Sequence, residues 1–298
     1  MAEPAAANAI APPVPLPPGR ALDLPGRGTT WIRELTGPPN APTVFLLHGW
    51  LATGDLNWFA SYQSLSEHFR VLAIDHRGHG RGIRTHDRFR LTDCADDAAA
   101  VIHQLGIDRV IATGYSMGGP IAQLLWHRHP RMVQGLVLCA TASDFRRRPG
   151  ERAAFTMATG SAHGVSRAMP ERLRQAVRER VTGARYDGET PQGRWARTEF
   201  RRHDVRMLLE AGRQVGRFDS APWIGRVDIP TAVVLTEQDR LVPPRNQMRL
   251  AQAIPHARVF PVPGGHVVCS AEPELFVPVL VEACRDVESR SGQPNPAG

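Results

Sequence analysis

Four short apolar runs constrain this chain most: TVFLL (43–47), RVLAI (70–74), RVIATG (109–114) and GLVLCA (135–140). Each is strand-length, and none alternates with polar residues. A run of this kind suits a strand buried on both faces. Each is separated from the next by a stretch with helical periodicity, at 58–68, 94–105 and 118–128. The pattern resumes late, with TAVVLT (231–236), a helix near 244–253, ARVFPV (257–262) and a last helix near 272–287. Alternating β and α predicts an α/β fold with a doubly wound, mostly parallel sheet and right-handed crossovers.

The stretch 143–222 breaks the pattern. It holds no convincing strand. PERLRQAVRERV (170–181) and RWARTEFRRHDVRMLLEAGRQV (194–215) read as helices with one apolar stripe and an arginine-rich opposite face. An insertion after the sixth strand of such a sheet lies at the carboxyl edge, where open α/β sheets bind their ligands. The predicted organisation is an extended or disordered lead-in over 1–28, a core made of 29–142 and 223–290, a helical cap over 143–222, and a flexible tail over 291–298.

Charge adds one local fact. The chain carries a net +7 and contains no lysine. Residues 143–223 hold 17 Arg against 10 acidic residues, so the whole excess belongs to the cap. The field of such a segment favours anionic substrates or peripheral contact with an anionic membrane. No nucleic-acid-binding module accompanies it, so nucleic acid is not an expected partner. The N-terminal AEPAAANAIAPPVPLPPGR lacks a basic start and is broken by prolines, which does not read as a signal peptide. A cytoplasmic location is the expectation. The four cysteines, at 94, 139, 269 and 284, form no C-x-x-C and read as buried free thiols rather than a metal site.

GYSMGG (114–119) joins RVIAT to PIAQLLWHRHP, a strand to a helix. G-x-S-x-G alone is a weak signal; between a strand and a helix it is a strong one. The turn is tight enough to strain the serine backbone, and Gly114 and Gly118 make room for it. Ser116 then stands at a helix N-terminus, beside free N–H groups. A serine nucleophile needs a base and an acid that orients it. His266, in PVPGGHVVCS, sits after the last strand. Asp239, in TEQDRLVPP, follows the strand before it. Asp144 is the main competing acid and Glu237 a weaker one.

LLHGW (46–50), DHRGHGRG (75–82), GYSMGG, TEQDRLVPP (236–244) and GGH (264–266) together resemble the marks of the α/β-hydrolase superfamily, over about 40–142 and 223–290. The resemblance implies Ser116 as nucleophile, His266 as base and Asp239 as acid. It also implies an oxyanion hole made by the backbone N–H groups of Trp50 and Met117, with His48–Gly49 setting the first. A serine with this apparatus is suited to an ester or thioester, and the arginine excess of the cap, not the resemblance, points to an acyl or lipid-like substrate; no cofactor and no metal are expected. A serine at the elbow disfavours the epoxide hydrolases and haloalkane dehalogenases of this fold, which use aspartate there. Cofactor-free perhydrolases and serine C–C bond hydrolases remain as rivals, and a non-catalytic receptor on the same fold as a more distant one.

Overall fold

The computed structural model describes residues 12–145, 170, 172 and 188–291. Eight strands form one sheet: β1 (Gly19–Leu24), β2 (Gly28–Leu35), β3 (Thr43–Leu47), β4 (Arg70–Ile74), β5 (Val110–Tyr115), β6 (Val133–Cys139), β7 (Thr231–Thr236) and β8 (Arg258–Val262). Their order is β1-β2-β4-β3-β5-β6-β7-β8. From β4 to β8 every pairing is parallel; β1 and β2 join antiparallel. β3, β5 and β7 are buried along their whole length, as unbroken apolar runs should be when helices cover both faces.

Two apolar layers flank the sheet. On one face pack α3 (Leu91–Gln104), α4 (Gly118–Arg128) and a helix over Pro244–Ala253. On the other lie α2 (Tyr62–Ser66) and the last helix, Pro273–Ser291. β3 and β5 are neighbours, and the chain leaves β3 for one side of the sheet and β5 for the other. The crevice at that reversal is where this class of sheet places its ligands.

Residues 19–24, assigned from sequence to the lead-in, are extended but paired with β2 across a Pro-Gly turn. Leu22, Leu24, Thr30 and Ile32 are buried at alternate positions, a period-two signal in a short and mostly polar context. The helix expected over 58–68 is two short ones, α1 (Gly54–Trp58) and α2. Thr53 starts α1 early by accepting from the Leu56 N–H at 3.0 Å, and the chain tightens at Ser61, whose N–H donates to the Trp58 carbonyl. The helix expected over 170–181 lies, but for Pro170 and Arg172, outside the described residues.

The stretch expected as one helix over 194–215 is two, α5 (Pro191–Phe200) and α6 (Val205–Arg217), between β6 and β7. The break follows from what Asp204 and His203 do there. Asp204 caps α6 by accepting from the Met207 N–H at 3.1 Å, while its own N–H donates to Gly78 O. His203 Nδ1 accepts from the Gly80 N–H at 2.7 Å. Around this seam Arg81 forks onto Glu199, and Arg206 donates to the carbonyls of Thr85 and Asp87. Glu210 accepts from the Phe89 N–H at 2.7 Å. The described part of the cap is thus clamped to the loop that follows β4.

That loop is pinned from beneath. Arg77 makes two bonds of 2.7 Å to Asp97 on α3, and Arg27 adds one of 2.6 Å. Asp97 and Arg77 are both buried. Removing one partner of a buried pair strands the other charge, so Asp97→Ala is expected to lower the free energy of unfolding by about 3 kcal/mol, measured by urea denaturation.

Candidate active site

Four loops at the carboxyl edge of the sheet build the site. The β5–α4 turn carries Ser116 at φ +52°, a left-handed backbone that a non-glycine residue adopts only when its surroundings impose it. They do so here. Ser116 N–H donates to Cys139 O at 2.9 Å, and Ser116 O accepts from Gly119 N–H at 3.0 Å and Thr141 Oγ1 at 2.8 Å. A Cβ on Gly114 would strike the Gly118 carbonyl, and one on Gly118 would strike the Leu47 carbonyl at the end of β3. Both glycines singled out in the sequence are therefore demanded by close approach.

Ser116 Oγ lies 3.0 Å from His266 Nε2, and His266 Nδ1 lies 2.7 Å from Asp239 Oδ2. Asp239 is fully engaged. Its Oδ1 accepts from the N–H groups of Leu241 and Val242, both at 2.8 Å. Its Oδ2 also accepts from Thr236 Oγ1 at 3.0 Å. Thr236 Oγ1 in turn accepts from Gln247 Nε2 at 2.8 Å, which fixes the direction of the threonine proton. Both oxygens of this buried carboxyl group therefore have hydrogen-bond partners. It is Asp239, not the rival Asp144, whose carboxylate meets His266, and Glu237 is exposed.

The loop after β3 carries His48, Gly49 and Trp50. His48 is buried, and its imidazole is held far below the ordinary pKa by burial first, then by His76 and His79. The ring is neutral, and its partners fix the tautomer: Nε2 accepts from the His76 N–H at 2.9 Å, so Nδ1 carries the proton and donates to Gly49 O at 2.8 Å. Ala52 N–H donates to the same carbonyl at 3.3 Å. In a trans peptide the N–H points opposite the C=O, so these two donors aim the Trp50 N–H. The Trp50 indole is wedged against Gly212 on α6 and donates to Leu208 O at 2.8 Å. Met117 is the N-cap residue of α4, where helical N–H groups lack intrahelical partners.

A cavity of about 480 Å³ opens beside Ser116 and His266. Leu56, Phe59, Trp195 and Ala196 form an apolar end, and Asn57, Thr190 and Gln192 add neutral polar groups. Apart from His266, its described lining carries no ionisable acid or base other than Tyr115 and Cys269. No group of three or more His, Cys, Asp or Glu able to hold a metal occurs among the described residues, and the four cysteines are buried and form no disulfide.

The chain has a match to the family model described as alpha/beta hydrolase fold over residues 42–273. It belongs to the α/β-hydrolase fold family. Among α/β hydrolases it is 29% identical over 252 residues to a protein of Agrobacterium fabrum named "Putative carbamate hydrolase RutD", covering 79% of this chain and 90% of that one. It is 40% identical over 95 residues to the bifunctional esterase/perhydrolase DCH of Acinetobacter calcoaceticus, covering 32% and 34%. A hydrolase from Pseudomonas aeruginosa PA01 superposes with a TM-score of 0.74 at 21% identity, over 89% and 97% of the two chains. No described helix is long and apolar enough to cross a membrane.

Sequence reading missed the residues that hold the site from outside its motifs. Tyr115 donates its hydroxyl to His266 O at 2.8 Å, and its place within GYSMGG was the available signal. Gln247, on the helix after β7, carried none. It is fully buried, and Gln247→Leu leaves the Thr236 N–H without its side-chain acceptor and Thr236 Oγ1 without its donor. A loss of about 2 kcal/mol in unfolding free energy is expected by denaturant titration.

The buried imidazoles also set an acid limit. Burial first and Arg84 lower the His79 pKa from 6.5 to about 4, against a bond to the Arg77 carbonyl and the charge of Asp204, which raise it. His48 and His76 are held lower than usual as well. Through these three imidazoles the unfolded chain takes up protons below about pH 6.5 that the folded one does not, so the stability they contribute falls as pH drops from 6.5 toward 4, while the Asp75 carboxyl, raised by burial to about 7, offsets one of the three. Denaturation midpoints across that range should show the decline, and His79→Gln should make it shallower.

Proposed function

We propose that this α/β hydrolase is a serine hydrolase that cleaves carboxylic esters or thioesters through an acyl-enzyme. The observation that carries the reading is the unbroken chain from Ser116 Oγ through His266 to Asp239, at 3.0 and 2.7 Å, with the serine on a strained turn. In this reading Ser116 Oγ attacks the acyl carbonyl as His266 Nε2 takes its proton. Asp239 holds the Nδ1–H tautomer and stabilises the imidazolium. The N–H groups of Trp50 and Met117 receive the oxyanion, and His266 then protonates the leaving alcohol or thiol. Water, activated by the same histidine, releases the acid.

The cavity supports an uncharged acyl group of moderate size, with its apolar part against Phe59 and Trp195. The described arginines nearest the seam with the core, Arg202 and Arg206, are paired with Glu199 and Glu210. An anionic substrate or membrane surface would therefore have to be drawn by the cap's field and not by the described walls of the cavity.

Perhydrolysis is the second reading, favoured by the similarity to the esterase/perhydrolase. There hydrogen peroxide replaces water at the acyl-enzyme and leaves as the peracid, with Ser116 Oγ regaining its proton. Turnover of p-nitrophenyl esters of graded chain length, with and without peroxide, separates the two. Ser116→Ala is expected to lose turnover by about a millionfold and all labelling by a fluorophosphonate, with its fold intact. Full turnover in that variant would sink the scheme.

A further inference from the structure

We propose that Asn57 is a positioning residue for the oxyanion loop, an inference that rests on the serine hydrolase reading. Asn57 lies on α1, 8 residues along the chain from Gly49, and its side chain is buried against the cavity. Its Oδ1 accepts from the Gly49 N–H at 2.9 Å. A backbone N–H can only donate, so the oxygen of the amide must face it, and the opposite nitrogen must face Cys269 Sγ, at 3.5 Å. Cys269 is three residues beyond His266. One amide thus bridges the loop that carries Trp50 and the segment that follows the base.

Gly49 threads a gap between the nucleophile and this amide. A Cβ built on it would lie 3.3 Å from Ser116 Cβ and 3.4 Å from Asn57 Oδ1. Two consecutive peptides then have their directions set by side chains. Asn57 holds the N–H of the 48–49 peptide, and His48 holds the carbonyl of the 49–50 peptide, whose N–H is that of Trp50. With its N–H committed to Asn57, Gly49 does not compete with Trp50 for the oxyanion. Without Asn57 the buried Gly49 N–H has no acceptor and the loop is free to turn toward one. A donor displaced by a fraction of an ångström loses most of its value to a transition state and little of its value to ground-state binding.

The test compares Asn57→Leu and Asn57→Asp with the unaltered protein, after the latter is shown to label with a fluorophosphonate. Absence of that label overturns the nucleophile reading itself, and this inference with it. Given the label, Asn57→Leu is expected to lower kcat by about 10- to 100-fold with KM within about threefold. An alkyl boronic acid, which forms a tetrahedral adduct on serine, should bind more weakly by the same factor. Asn57→Asp keeps the acceptor but, when ionised, sets a negative charge beside the oxyanion. Its kcat relative to the unaltered protein at the same pH should rise as pH falls, while the ratio for the leucine variant stays flat. The Asp variant carries the test should the Leu variant fail to fold. Boronate affinity and kcat within twofold of the unaltered protein in Asn57→Leu, or a pH-independent ratio in Asn57→Asp, overturns the proposal.

Discussion

The close approach of α4 to the end of β3 governs the geometry of everything above the sheet. With only a hydrogen on Gly118, the helix can begin against the Leu47 carbonyl. That draws the β5–α4 turn tight enough to force Ser116 to φ +52°. It also brings the turn beside the loop that leaves β3. Two loops far apart in the chain become neighbours because their strands pair in register, Leu47 opposite Gly114. The strain at Ser116 is sustained by three hydrogen bonds to its backbone and by the packing of α4.

Hydrogen bonds extend this support outward from the turn. Asp239 is locked by two backbone N–H groups and by Thr236, itself held by Gln247. His266 is locked by Asp239 at the ring and by Tyr115 at its backbone carbonyl. The loop around Trp50 leans on α6 of the cap through the indole N–H and Gly212. The cap's described helices are therefore part of the site's support, not only its cover. The ion pairs and backbone bonds that tie α5 and α6 to residues 78–89 hold the far side of that support.

The legible part of this molecule was local. Apolar runs named six of the eight strands, and GYSMGG named the turn, because each signal lies within a few residues of what it specifies. The order of Asp239 and His266 after Ser116 was readable because the elements that carry them are. β1 and β2 were missed since an edge hairpin buries one face, and its alternate buried residues are scattered among Asp, Thr and Arg. The break between α5 and α6 was hidden for a different reason. His203 makes no helix-stop motif and its partner, Gly80, is more than a hundred residues away; Asp204, the cap of α6, is a local start signal hidden inside an apolar stripe that continues across it.

That distinction says which kinds of residue a sequence conceals. Ser116 and Gly118 lie in one tight strand-to-helix turn, so their pattern is short and recognisable even though the contacts that demand it come from Leu47 and Cys139. Asn57 and Gln247 act by satisfying buried polar groups, and any residue of suitable shape with a donor and an acceptor could do that from another position. Their identity follows from the fold, not from a motif. In the serine hydrolase reading the chemistry leans on them as well. Hydrogen-bond donors stabilise developing charge only when they are held in place beforehand. In this site the holding is done largely by side chains that never meet the reacting atoms.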